Sequence, residues 1–73
     1  MEHFFIKTDI ITLGQFLKWA GICATGGEAK MLIAEGLFSV NGEVIYQRGK
    51  KLKKGDIIKV KNGKSFLIET KDD

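Results

Sequence analysis

An α+β domain, with two short helices in a helix-turn-helix-like pair packed on a small, mainly antiparallel sheet, is predicted by three features of this sequence. Two capping-box signatures, Thr12 with Gln15 and Thr25 with Glu28, each open an apolar stripe of helical spacing. Past Leu37 the apolar period shortens to two, and Asn-Gly pairs at 41–42 and 62–63 mark hairpin turns. The 73 residues include nine Gly and no Pro, so glycines rather than linkers punctuate the chain. That length is the size of one small domain, 1–73, with no room for a second.

Each element follows from local chemistry. His3 to Lys7 is expected as a short first strand. Thr12 caps helix one, expected from Leu13 to Ala20, where Ile11 and Phe16 occupy the two staple positions and Leu13, Phe16, Leu17 and Ala20 form the buried stripe. Gly21 falls where a left-handed cap ends a helix. Helix two, Thr25 to Ile33, repeats this grammar with Ala29, Leu32 and Ile33 and ends before Gly36. Gly26 and Gly27 in its first turn each cost about 1 kcal/mol of helix propensity relative to Ala. Either close packing of the helix start on helix one or an open N-terminus facing a phosphate explains them. Phe38 and Val40, the turn at Asn41-Gly42 and a return strand from Val44 to Tyr46 form a hairpin. Gln47 to Asp56 is expected as a loop, Ile57 to Val60 and Phe66 to Ile68 as the last strands, and Lys71-Asp72-Asp73 as a frayed tail.

Several function classes fall away on composition. A chain this short buries roughly 60% of its unfolded surface and cannot also wall off a deep substrate cavity. Cys23 is the only cysteine and His3 the only histidine, so this chain cannot form an intrachain disulfide or a Cys/His metal cluster, and a reducing cytoplasm is the expected compartment. Apolar runs reach about four residues, as at Met31 to Ala34, far short of the roughly 20 that span a bilayer. The N-terminus lacks the basic start of a signal peptide. Gly21 to Gly26 has the glycine spacing of a phosphate-binding loop, but Gly27 and Glu28 stand where that motif needs Lys and Ser or Thr. Cys23 lies far from the one histidine that could activate it and reads as a packed thiol. Asp9, Glu35, Glu43 and Asp56 form no catalytic pattern, and Asp56 after Gly55 reads as a turn residue. No enzyme, cofactor, metal, membrane or small-molecule substrate is expected.

Charge distribution is the informative signal. Residues 48–64 hold eight cations and one acid, a net +7, which leaves −4 for the rest of a chain of net +3. Arg48, Lys50, Lys51, Lys53 and Lys54 put five cations within seven residues, which repel one another and invite a polyanion. A solvated lysine loop serving solubility is the simpler alternative. Lys18 lies opposite the stripe of helix one and Lys30 beside the stripe of helix two, so both reach solvent. Trp19 and Tyr46 either cap the small core or stack on unpaired bases.

The order of elements also resembles a known family. Ala29-Lys30 followed by Ile33, the strand-Asn-Gly-strand from Gly36 to Val44, and Gly55-Asp56-Ile57 resemble the S-four RNA-binding domain, named after ribosomal small-subunit protein four, over roughly Ile11 to Val60. The chain is most similar to short stand-alone bacterial members of the YaaA/YbcJ type. The resemblance implies the S-four-like (αL) fold and non-catalytic binding of structured RNA, often ribosomal, through a basic surface of the two helices and adjoining loops. It assigns Lys30 to the basic position of helix two and makes Lys18 and the Arg48 to Lys54 segment extensions of the same surface. Many members carry Ser-Arg at the start of helix two where this chain has Gly26-Gly27, as the short members do, so an expected arginine contact is missing there and the backbone or the loop must compensate.

The expectation is therefore a cytoplasmic protein that binds structured RNA, ribosomal RNA first, on the ribosome or an assembly particle. A module docking on an acidic partner protein is the alternative from another class. Duplex DNA binding is weaker, because helix two offers no Arg, Asn or Gln to read base edges.

Overall fold

The computed structural model describes residues 1–71. Seven strands and two helices follow one another as β1 (Glu2–Ile6), β2 (Ile10–Thr12), α1 (Leu13–Trp19), α2 (Gly26–Ala34), β3 (Phe38–Val40), β4 (Glu43–Val44), β5 (Lys51–Lys53), β6 (Ile57–Val60) and β7 (Ser65–Thr70). The α+β class is thus the observed one. Five strands form one sheet in the order β1-β7-β6-β3-β4, in which only the β1–β7 pairing is parallel. β2 and β5 form a separate two-stranded antiparallel sheet.

Local signals place the helices. Thr12 Oγ1 accepts from the Gln15 N–H at 3.2 Å and the Gln15 side chain accepts from the Thr12 N–H at 3.0 Å, a complete capping box. The second box is half made. Thr25 Oγ1 accepts from the Glu28 N–H, but the Glu28 carboxylate reaches past the cap to the Ala24 N–H. After α1, the Ile22 and Gly21 N–H groups donate to the Leu17 and Lys18 carbonyls, the bond pattern of a Schellman end that leaves Ala20 as the cap rather than the last helical residue. Gly36 follows α2 at φ 75, a conformation that favours glycine, and a Cβ there would lie 3.3 Å from the Tyr46 ring, which would have to shift.

Both helical stripes face the core. Leu13, Phe16 and Leu17 of α1 and Ala29 and Ile33 of α2 are buried with Ile11, Phe38, Leu52, Ile58, Phe66 and Ile68, while Ala20 and Leu32 are partly buried at its margin. Phe16 sits edge-to-face between Phe4 and Phe66, at centroid distances of 5.0 and 5.3 Å. Each fully buried side chain of this size contributes about 1.5–3 kcal/mol. Cys23 is buried, and burial followed by the nearby Glu28 charge pushes its thiol pKa up, which suits a packed rather than a reactive thiol.

Three expectations need correction. The stretch from Gln47 to Asp56 is not all loop: Lys51–Lys53 is β5, which turns Leu52 into the core and pairs with Ile10–Thr12, itself unforeseen as a strand. The return arm of the hairpin is shorter than Val44 to Tyr46, although the Ile45 N–H still donates to the Phe38 carbonyl at 3.0 Å. Gly26 and Gly27 do not pack on α1: a Cβ on Gly26 would meet Arg48 Nη1 at 3.8 Å, and one on Gly27 only Thr25 Oγ1 at 3.9 Å. Of the expected tail, Lys71 still donates to the Ile6 carbonyl, and Asp72 and Asp73 lie outside the described residues.

Gly27→Ala should therefore raise the unfolding free energy by about 0.5–1 kcal/mol in urea denaturation, since it gains propensity and meets nothing closer than an ordinary contact. A loss of stability would show that the α2 start is constrained in some other way.

Candidate nucleic-acid interface

The basic segment is fastened down rather than free. The Leu13 and Gly14 N–H groups, left over at the start of α1, donate to the Lys50 and Arg48 carbonyls at 2.8 and 2.9 Å. Together with the β2–β5 pairing, these bonds hold residues 48–53 across the beginning of α1.

That fastening aims Arg48 between the helices. Gly14 is buried, and the place its Cβ would take lies 3.5 Å from Arg48 Cβ and 3.9 Å from Arg48 Cδ, so the aliphatic stem of the arginine runs over the glycine. The guanidinium then ends beside Gly26 of α2. Lys18 stands four residues on from Gly14, and Lys30 four residues on from Gly26, so each lysine shares a helix face with the glycine that makes room for Arg48. The result is a cleft of about 290 Å³ lined by Thr12, Gly14, Gln15, Lys18, Gly26, Arg48 and Gly49, with two cations and, among the described residues, no carboxylate.

The other cations lie apart from this cleft. Lys51 and Lys53 project from β5 on the side opposite Leu52 and, with Lys50, border a second depression that also contains Glu43 and Asp56. Lys53 Nζ lies 3.4 Å from the Asp56 carboxylate. Lys54 is exposed in the turn that follows. Lys59 and Lys61 flank a groove beside Val44, and Lys64 lies near Glu2. The fold therefore splits the net +7 of residues 48–64 over several surfaces, and of that segment's cations only Arg48 joins Lys18 in the cleft between the helices. Trp19 and Tyr46 are 55% and 65% exposed, so neither serves mainly to close the core.

Asp56, read as a turn residue, does more than turn the chain. It is buried, and its carboxylate accepts from the Asn41 side-chain amide at 3.0 Å and the Lys53 N–H at 2.9 Å. Asn41, at φ 52, in turn accepts from the Ile57 N–H and donates its own N–H to the Ile57 carbonyl. The Asn-Gly and Gly-Asp-Ile segments thus form one latch that holds the β3–β4 turn against the start of β6.

The two helices, the sheet and the basic cleft make a small α+β domain with a surface suited to a polyanion, and comparison with known proteins identifies its family. Residues 4–69 match the S4 domain, a span that takes in part of β1 and most of β7 as well as the Ile11 to Val60 stretch; the chain belongs to this RNA-binding, non-enzymatic family. It is 43% identical over 63 residues to the "Probable ribosome maturation protein RlbA" of Bacillus subtilis (strain 168), covering 86% of this chain and 89% of that protein. The crystal structure of the 30S ribosomal protein S4e from Thermoplasma acidophilum shares the fold at a TM-score of 0.61 and 23% identity, over 84% of this chain and 32% of that longer one. No helix among the described residues is long and apolar enough to cross a membrane.

Gly14 and Gly49 were not read from the sequence as part of a site, and Thr12 and Gln15 were read only as a helix cap. The one available signal was Gly14 itself, a poor helix former inside the first turn of an otherwise well-capped helix.

Proposed function

We propose that this chain acts in the cytoplasm as a single domain that binds structured RNA, ribosomal RNA first, and takes part in ribosome maturation without catalysing a reaction. Lys18, Lys30 and Arg48 on the helical side, with Lys50, Lys51, Lys53 and Lys54 beside them, form the contact surface, and Trp19 and Tyr46 are open to stack on unpaired bases. The single observation that carries this reading is the cleft between α1 and α2, basic and free of carboxylates, in a chain of the S4 domain family. Likeness to a relative named for ribosome maturation supports the choice of ribosomal RNA.

Ultraviolet crosslinking in cells, followed by sequencing of the attached RNA, tests it. Enrichment of ribosomal RNA segments is the expected result. Ribosomal particles that stay bound after nuclease treatment, with no crosslinked RNA, would point instead to an acidic protein partner. Duplex DNA should compete poorly against structured RNA.

A further inference from the structure

The cations of this surface are not equivalent. Arg48 is anchored through its backbone, whose carbonyl accepts from the Gly14 N–H at 2.9 Å, and its exposed side chain runs over the bare Cα of Gly14 so that the guanidinium lies beside Gly26. Among the described residues it forms no ion pair, and none of those lining its cleft is an acid. Lys53, by contrast, has the Asp56 carboxylate at 3.4 Å, and Lys50 and Lys51 share their depression with Glu43 and Asp56.

We infer that the cleft between α1 and the start of α2 seats one RNA backbone phosphate, and that Arg48 is its directing contact, with Lys18 from the last turn of α1 lining the same cleft. This rests on the RNA-binding reading above and adds a geometric claim to it. A guanidinium presents a planar fork that matches two phosphate oxygens, whereas an ammonium is a point charge on a freely rotating stem. Because the Arg48 stem lies over Gly14, binding sacrifices less of its rotamer freedom than of that of Lys54 in its turn. The strand of lysines then contributes attraction at a distance, and Arg48 fixes the register of the RNA on the helices.

Two measurements on the full chain test this. The first is filter binding of extracted ribosomal RNA to wild type, Arg48→Lys and Lys51→Gln. Arg48→Lys keeps the net charge and should weaken binding about tenfold, whereas Lys51→Gln removes a charge and should weaken it only about twofold to threefold. The second is titration of isotope-labelled protein with inorganic pyrophosphate, read by NMR. Shifts should gather at the Gly14, Gly26 and Gly49 amides and the Arg48 side chain. Arg48→Lys binding RNA as well as wild type would overturn the inference and leave RNA binding standing. If wild type fails to bind RNA, the proposed function falls, and the titration alone decides whether the cleft is an anion site. Shifts confined to residues 50–54, or none, overturn it.

Discussion

Replacing Asp56 by alanine should lower the unfolding free energy by about 3 kcal/mol, more than any other single change to a charged residue of this chain. Two hydrogen bonds to a buried carboxylate are lost, each with a typical value of about 1.5–3 kcal/mol, and the Asn41 amide and Lys53 N–H are left without their partner. Lys53 Nζ adds little, because its side chain is 72% exposed. In a chain of this length the whole stability is on the order of 4–11 kcal/mol, so this one latch is a large share of it. Burial by itself pushes the Asp56 carboxyl up; the bonds from the Lys53 backbone and Asn41, with the Lys53 charge, outweigh burial and hold it below the ordinary carboxylate range. A pKa depressed in the folded state contributes stability that is complete above the unfolded value of about 3.9 and is lost as pH falls through the folded one. Wild type should therefore lose part of its stability between about pH 5 and pH 2, and Asp56→Asn should lack that component of the acid loss. Urea denaturation across this range checks both points. A penalty under about 1 kcal/mol for Asp56→Ala would mean that Asn41 and Lys53 find other partners.

The second large effect concerns binding. Reversing Lys30, Arg48, Lys51 and Lys54 together to Glu should reduce RNA affinity by on the order of 100-fold or more, since four attractive charges become repulsive. The fold should survive, because all four side chains are exposed and none forms an ion pair among the described residues. Lys53 is left out of this set because its ammonium pairs with Asp56, so that changing it would disturb the latch as well. Filter retention of ribosomal RNA reads the effect and thermal unfolding monitors the fold. Unchanged retention by a folded variant would remove this surface from the RNA contact.

What could be read from the sequence follows from how local each interaction is. The helices were legible because a cap, a stripe and a terminal glycine all lie within one or two turns: Thr12 bonds Gln15, and Gly21 closes on Lys18. The β3–β4 hairpin was legible because Asn41-Gly42 specifies its own turn. β2 and β5 were not. Lys51-Leu52-Lys53 offers one apolar residue and no period, and its partner Ile10–Thr12 lies some forty residues upstream, so nothing local announces the pairing. The parallel β1–β7 pair joins the two ends of the described chain and is equally silent in a local pattern.

The site divides in the same way. A concentration of basic charge after Gln47 could be counted in the sequence, but its dispersal over several surfaces could not. The cleft is composed from Gly14 in one helix, Gly26 in the other and Arg48 from the segment between β4 and β5. Only the fold brings these together. For the arginine missing from the first turn of α2, the sequence pointed only to the backbone or the loop as compensation, whereas the folded chain has Arg48 beside Gly26. Asp56 was legible as a turn former, and its burial against Asn41 was not, since fifteen residues separate them.

The central claim, that an electrostatic surface holds the RNA backbone, is tested most directly by the affinity of the intact protein for ribosomal RNA over a series of salt concentrations. With about four to six phosphates neutralised, log affinity against log salt should fall with a slope of about −3 to −5. A slope near zero would contradict it.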